Sequence, residues 1–266
     1  MNMFYPISNK FADLQSTLKS YTLIVACVGV GNVSQLACDL LIYNLNCELV
    51  ADLDFEYIPS VIGYNPYHIS SGDLMTTSQL YINPELSIAI LQTRSPPYSR
   101  CRERHAEEVT KFVCNTGCTK VILLSSSYAM QRKDVELLDS QIRYAASNAF
   151  KDATFPVPNL PSLLTHTDDV TEIDPSCQCR TTYRLPGAGI AAFLFDKLSQ
   201  PGCPATCLVN TFASEGDNTG DALAVVKTLN TWLQLFPEKH DDSSSQLRAP
   251  PSWSLLYGPS TIKNLY

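Results

Sequence analysis

Missing from this chain of 266 residues are long apolar runs, clustered basic residues and any complete catalytic signature. The longest apolar run, Leu23 to Val30, falls far short of the ~20 residues that cross a bilayer, so no membrane span is expected. The opening MNMFYPISNKF has no basic stretch ahead of an apolar core, which argues against a signal peptide. Lys and Arg number 19 against 26 Asp and Glu, a net charge of -7 with no basic stripe. A surface that tracks nucleic-acid phosphates is therefore not expected. These absences describe a soluble intracellular protein that binds neither membrane nor nucleic acid.

Metal and nucleophile signatures are thin as well. Ten cysteines are present, but Cys114 with Cys118 is C-x3-C, Cys177 with Cys179 is C-x-C, and Cys203 with Cys207 is C-x3-C. Structural zinc usually asks for C-x2-C or paired histidines, so no metal site is expected. Cys27, Cys38 and Cys207 sit in apolar stretches and read as buried free thiols. No G-x-S-x-G elbow surrounds Ser125 to Ser127. His68, His105, His166 and His240 stand in a loop, on a surface helix and in two polar stretches, without triad neighbours. The acidic loop from Asp168 to Asp174 reads as a solvated face. No catalytic residue and no cofactor site is expected.

What is present is clearest from Tyr21 to Leu45. Leu23 to Val28 is short and β-branched, a strand covered on both faces. Gly29 and Gly31 break it, and Asn32 is placed to cap the next helix. Along that helix Val33, Leu36, Ala37, Leu40 and Leu41 repeat at helical spacing. Strand, glycine turn and helix open an α/β domain. The turn supports two readings. It has the first two glycines of G-x-G-x-x-G, with Asp52 and Asp54 about twenty residues on where a ribose contact would fall; Ser34 replaces the third glycine. Alternatively, the glycines serve a tight backbone turn and nothing else.

Further along, Glu48 to Leu53 reads as a strand, and Gln79 to Ile82 with Ser87 to Thr93 reads as a hairpin around Asn83-Pro84-Glu85. A helix is expected from about Ser99 to Asn115, ending at Gly117. Val121 to Leu124 reads as a buried strand running into the three serines. Gln131 to Leu138 has helical character, Ile190 to Leu198 is a short apolar helix, and Cys207 to Phe212 is a strand. Ala222, Val225, Val226, Leu229, Leu233 and Phe236 form one helix face. Strands alternating with helices, plus a hairpin, predict a three-layer α/β/α sandwich on a mixed central sheet. One α/β domain spans 1–236, a Ser- and Pro-rich linker 237–252, and a docking segment with an aromatic tail 253–266. Within that tail Leu265 and Tyr266 are the candidate partner-binding residues, since a chain-end carboxylate with apolar neighbours suits capture in a pocket.

Six stretches together resemble a known family. VGVGNVSQLACDLLI, IGYNPY, VILLSSSYAMQRKDVELL, RLPGAGIAAFLFD, FASEGDNTGDALAVVKTLNTWLQL and PSWSLLYG occur in order between residues 21 and 258 and are similar to the PAC2 family of proteasome assembly chaperones. The resemblance implies a phosphorylase-like three-layer fold without the phosphorylase active site, and a chaperone rather than an enzyme. It implies a heterodimer with proteasome assembly chaperone 1 that gathers 20S proteasome α-subunits into their ring and prevents off-pathway association. It further implies a cytoplasmic setting, with the nucleus as a second one. Tails of this family carry a hydrophobic-Tyr-any motif that enters pockets between α-subunits; here Asn264-Leu265-Tyr266 puts the Tyr last. The competing expectation is a nucleoside-phosphorylase-like or nucleotide-binding enzyme that uses the Gly29–Asn32 turn.

Overall fold

Short β-branched runs place five-residue and longer strands at the centre of the molecule, and helical-period runs cover them from both sides. The computed structural model describes residues 4–7, 13, 17–69, 71–153, 159–165, 181–236 and 247–255. Its strands are β1 (Phe4–Pro6), β2 (Thr22–Ala26), β3 (Glu48–Leu53), β4 (Gly63–Tyr64), β5 (Leu74–Met75), β6 (Ser78–Asn83), β7 (Ile88–Thr93), β8 (Lys120–Tyr128), β9 (Ile142–Ala146) and β10 (Ala205–Ala213). The helices are α1 (Val33–Asn44), α2 (Arg102–Asn115), α3 (Asp134–Leu137), α4 (Asn148–Asp152), α5 (Ala191–Leu198) and α6 (Thr219–Leu233).

Eight strands form one sheet in the order β1-β3-β6-β7-β2-β8-β10-β9, and β4 pairs with β5 apart from it. The four central strands run parallel. On one flank β6 is antiparallel to β7, β3 to β6 and β1 to β3; on the other β9 is antiparallel to β10. The sheet is thus mixed, as expected. Alternation along β2 assigns its side chains to opposite layers. Leu23, Val25 and Cys27 face α2 and α5 through Ala106, Val109, Phe112, Leu194 and Leu198. Ile24 and Ala26 face α1 and α6 through Ala37, Leu41, Val225 and Leu229. Burying a side chain of this size contributes about 1.5–3 kcal/mol, so both cores are needed to hold the layers.

Several local expectations are sharpened. The hairpin Ser78–Asn83 with Ile88–Thr93 forms as read. The strand expected over 121–124 runs on through all three serines to Tyr128. The helix expected from Ser99 begins at Arg102. The Gln131–Leu138 stretch holds only the short α3 beside a 3-10 turn at Ala129–Gln131. Asn32 does not cap α1 with its side chain, because its φ of 53° places it in the left-handed region while the chain enters through a 3-10 turn at Val30–Asn32. β9 and α4 carry no clear pattern in the sequence; Ser147 caps α4 by accepting from Phe150 N at 3.2 Å and accepts from Thr206 N of β10 at 3.0 Å.

Candidate functional site

The carboxyl ends of the four parallel strands are where an open α/β sheet keeps its ligand, and the glycine turn and the three serines meet there. The glycine turn leaves β2 at that end. A Cβ on Gly29 would stand 2.6 Å from Ser126 O and 2.8 Å from Ser126 Oγ. Gly31, at φ 63°, lies against the Asn218 carboxamide, which would collide with any side chain there. Asn218 is itself 3% exposed and donates through Nδ2 to Gly216 O at 2.9 Å. Val30 N donates to Gly187 O at 3.1 Å, and Ser126 Oγ donates to Val30 O at 2.6 Å. The backbone that would cradle a phosphate is therefore occupied by the protein's own groups.

The serines are engaged in the same way. Ser125 Oγ donates to Asn210 Oδ1 at 2.8 Å, and Asn210 Nδ2 donates to Ser127 Oγ at 2.8 Å. All four side chains (Ser125, Ser126, Ser127 and Asn210) are buried. A hydroxyl locked to an amide across two strands acts as a rung in the ladder. Between Cys27, Val28, Thr93, His105 and Ile190 a cavity of about 10 Å³ remains, at the lower limit for one water and far below a nucleotide.

His105, expected on a surface helix, is 2% exposed. The loop after β3 folds over α2, and the Phe55 ring meets the imidazole edge-on at 5.4 Å. His105 Nδ1 lies 3.2 Å from Glu108 Oε2, and Glu108 Oε1 accepts from Glu56 N at 2.6 Å. Asp52, read as a ribose contact, instead accepts from Thr76 Oγ1 at 2.7 Å and Gln79 Nε2 at 2.9 Å. A buried polar knot has no counterpart among the sequence expectations. Asp39 of α1 accepts from Tyr67 OH at 2.7 Å, Gln92 Nε2 at 2.8 Å and Arg94 Nη2 at 2.9 Å. A single carboxylate inside the apolar run C-D-L-L-I is the available signal. Burial acts to lower the Arg94 pKa, but the Asp39 carboxylate overrides it and the guanidinium ends above its ordinary range. Burial, then Asp39, pushes the Tyr67 phenol well up.

Beside this filled crevice an open groove of about 570 Å³ lies between the loop after β3 and α2, with Glu56, Tyr57, Tyr98, Arg104 and Lys111 in its lining, and the connections nearby expose apolar side chains. Among the described residues, ten of the thirteen exposed large apolar side chains belong to three connections, β3 to β6, β7 to α2 and β8 to β9. Val61, Ile62, Tyr64, Ile69 and Leu74 lie between β3 and β6, Tyr98 between β7 and α2, and Met130, Val135, Leu137 and Leu138 between β8 and β9. Leu138 is 90% exposed and Met130 85%. The stretch 61–75, which carries β4 and β5, has Asp73 as its only Asp, Glu, Lys or Arg. Low charge with exposed aromatic and aliphatic groups marks the centre of a protein interface more often than a free surface.

Among the described residues no three His, Cys, Asp or Glu side chains are grouped to share a metal ion, and no helix is long and apolar enough to cross a membrane. His166, His240, Asp168 to Asp174, Cys177, Cys179, Leu265 and Tyr266 lie outside the described residues. Of the expected linker, residues 247–252 are described: Asn44 Nδ2 donates to Arg248 O at 2.9 Å, Arg248 N donates to Asn44 Oδ1 at 2.8 Å, and Ser252 N donates to Pro66 O at 3.2 Å. Trp253 packs against the core beside α1 and α6.

Comparison with known proteins gives consistent results. Human proteasome assembly chaperone 2 is 34% identical over 267 aligned residues, covering 96% of this chain and 97% of its own. The zebrafish protein of that name is 33% identical, covering 92% and 95%. The fold is similar to crystal structures from Pyrococcus furiosus. PbaA, described as an archaeal homolog of proteasome-assembly chaperone, superposes with a TM-score of 0.59 at 17% identity over 89% of this chain and 84% of that one. PbaB, described as an archaeal proteasome activator, gives 0.56 at 15% over 90% and 92%. The PAC2 family model matches residues 23–237, a span that holds the sheet strands other than β1, most of both cores and the filled crevice. This chain belongs to the PAC2 family.

Proposed function

We propose that this chain is a non-catalytic chaperone of proteasome assembly. It works as a heterodimer with proteasome assembly chaperone 1, gathers α-subunits of the 20S core particle into their ring and holds them from off-pathway association. The observation that carries this reading is the carboxyl end of the sheet, filled inside by Asn218, Ser126 and Gly187, with exposed apolar connections outside it. That arrangement leaves no room for a reactant between the glycine turn and the serines, and the apolar connections offer a protein face a surface to cover. The near full-length match to relatives named as proteasome assembly chaperones supports the same role here. In this reading the partner chaperone covers the apolar connections. The α/β body (1–236), the linker (237–252) and the docking segment (253–266) divide the work, and Leu265 and Tyr266 enter a pocket between α-subunits. The setting is the cytoplasm, with the nucleus as a second compartment.

Affinity capture of the tagged full-length chain from its own cells, followed by mass spectrometry, tests the proposal. Chaperone 1 in stoichiometric amount together with several α-subunits is the expected result; recovery of neither overturns it. Calorimetry with nucleosides, phosphate and NAD addresses the enzyme alternative. A saturable heat that disappears in Gly31→Val would favour it over the chaperone.

A further inference from the structure

One pair of thiols lies at the edge of the core between α2 and α5, with Cys203 packed against it. Cys114 lies in the last turn of α2 and Cys203 in the turn between α5 and β10, 89 positions away, yet their Sγ atoms are 3.8 Å apart. Among the described cysteines Cys114 is the one exposed thiol, and Cys203 is half-buried. The elements that carry them are fixed to each other: Lys197 Nζ of α5 donates to Glu107 Oε1 of α2 at 3.0 Å, and Cys203 Sγ donates to Lys197 O at 3.5 Å. The packing of α2 on α5 thus holds the two sulfurs in contact.

We infer that Cys114 and Cys203 form an oxidisable dithiol, a modification site at which a peroxide or a small-molecule disulfide links α2 to the turn before β10. With glutathione disulfide, the Cys114 thiolate attacks one sulfur and releases the first glutathione thiol. Cys203 then displaces the second, so two glutathione thiols leave and one protein S–S bond remains. With hydrogen peroxide, Cys114 becomes a sulfenic acid with loss of water; Cys203 attacks that sulfur, and a second water leaves. In both routes the protein sulfurs are oxidised and the named reagent is reduced. Bond formation brings the sulfurs to about 2.05 Å, an adjustment open to the exposed Cys114 side chain. Burial, then the neighbouring Cys203 thiol, pushes the Cys114 pKa up to about 11, so the first attack is slow near neutrality and adjacency makes the second fast. The link closes a long loop through β8, β9, α5 and their connections, restricting the unfolded chain.

The full chain is treated with glutathione disulfide, quenched by alkylation and digested without reduction. A Cys114–Cys203 cross-linked peptide as the dominant product is expected, absent in Cys114→Ser and retained in Cys47→Ser. The oxidised wild type should melt several degrees above the reduced protein, and Cys114→Ser should show no such rise. Glutathione left on Cys114 with Cys203 still open to alkylation, or a dominant Cys114–Cys118 link, overturns the inference. A cross-link with no rise in melting temperature overturns its stapling role.

Discussion

Arg94 and Asp39 join the end of β7 to α1 by a contact of 2.9 Å between Nη2 and Oδ1, at a carboxylate that is almost wholly removed from water. Tyr67 and Gln92 converge on the same Asp39 oxygen, so one side chain ties the central sheet, the first helix and the loop before β5 together. Removing one partner of a buried pair leaves the other charge stranded, which typically costs about 3–5 kcal/mol. Because the Arg94 side chain it strands is 29% exposed, Asp39→Ala is expected to lose about 2–3 kcal/mol by urea unfolding, below that range. Asp39→Asn should lose less, and Arg94→Met in the Asp39→Ala background should recover part of the loss. A loss under about 1 kcal/mol for Asp39→Ala would refute this anchoring role.

Gly31 and Asn218 make a steric prediction. Gly31→Ala must carry a Cβ at φ 63° and also displace the Asn218 carboxamide. The backbone part alone is worth about 1 kcal/mol, and the clash adds to it. Asn218→Gly should relieve the second part only, so the double variant is expected to be more stable than the sum of the singles by about 0.5–3 kcal/mol. Strict additivity in a double-mutant cycle would show that the two residues do not touch.

Buried thiols set an alkaline limit. Burial pushes the buried Cys27 and Cys207 and the half-buried Cys47 each up to about 12 from an ordinary 9.0. The folded state therefore holds these protons more tightly than the unfolded chain. The stability they confer is complete below about pH 9 and is lost as pH rises from there toward 12. One pH unit above the unfolded value each thiol gives up on the order of 1 kcal/mol. Chemical denaturation at pH 8 and pH 10 should show a drop of a few kcal/mol, smaller in Cys207→Ala. Equal stability at both values would contradict the burial of these thiols.

The apolar connections separate folding from association. Leu138→Glu and Tyr64→Glu replace side chains that are 90% and 75% exposed, so each should leave the unfolding free energy within about 0.5 kcal/mol of the parent. Capture of chaperone 1 should fall by about tenfold or more in the pair of substitutions, the loss of roughly 1.4 kcal/mol of binding. Retention of full capture would move the interface elsewhere on the molecule.

Periodicity carries most of the architecture, because β2, β8 and β10 hold apolar runs and α1 and α6 keep their stripes for three turns or more. β9 escapes because I-R-Y-A-A is short and its Arg143 is buried by a contact with Ser162 O that only the fold supplies. His105 reads as a surface residue since R-E-R-H-A-E-E is polar apart from Ala106; the covering Phe55 comes from fifty positions earlier. For the crevice, the strand–glycine–helix pattern marks the carboxyl end of β2 and leaves open what fills it. Whether Gly31 faces a ligand or Asn218 depends on a loop nearly two hundred residues away, and no local pattern encodes that approach.

The docking of Trp253 and Ser252 against the body has a consequence for geometry at a distance. Tyr266 stands eleven positions beyond Leu255, and a chain extends at most about 3.3–3.6 Å per residue. Tyr266 is therefore tethered within roughly 40 Å of the 3-10 turn that Ser252 fixes beside Pro66. A separation of that size between two linked binding groups corresponds to an effective concentration on the order of millimolar. In the proposed docking of Leu265 and Tyr266, a weak pocket is filled once the body has landed nearby and ignored when it has not, and the Ser252–Pro66 contact sets that distance.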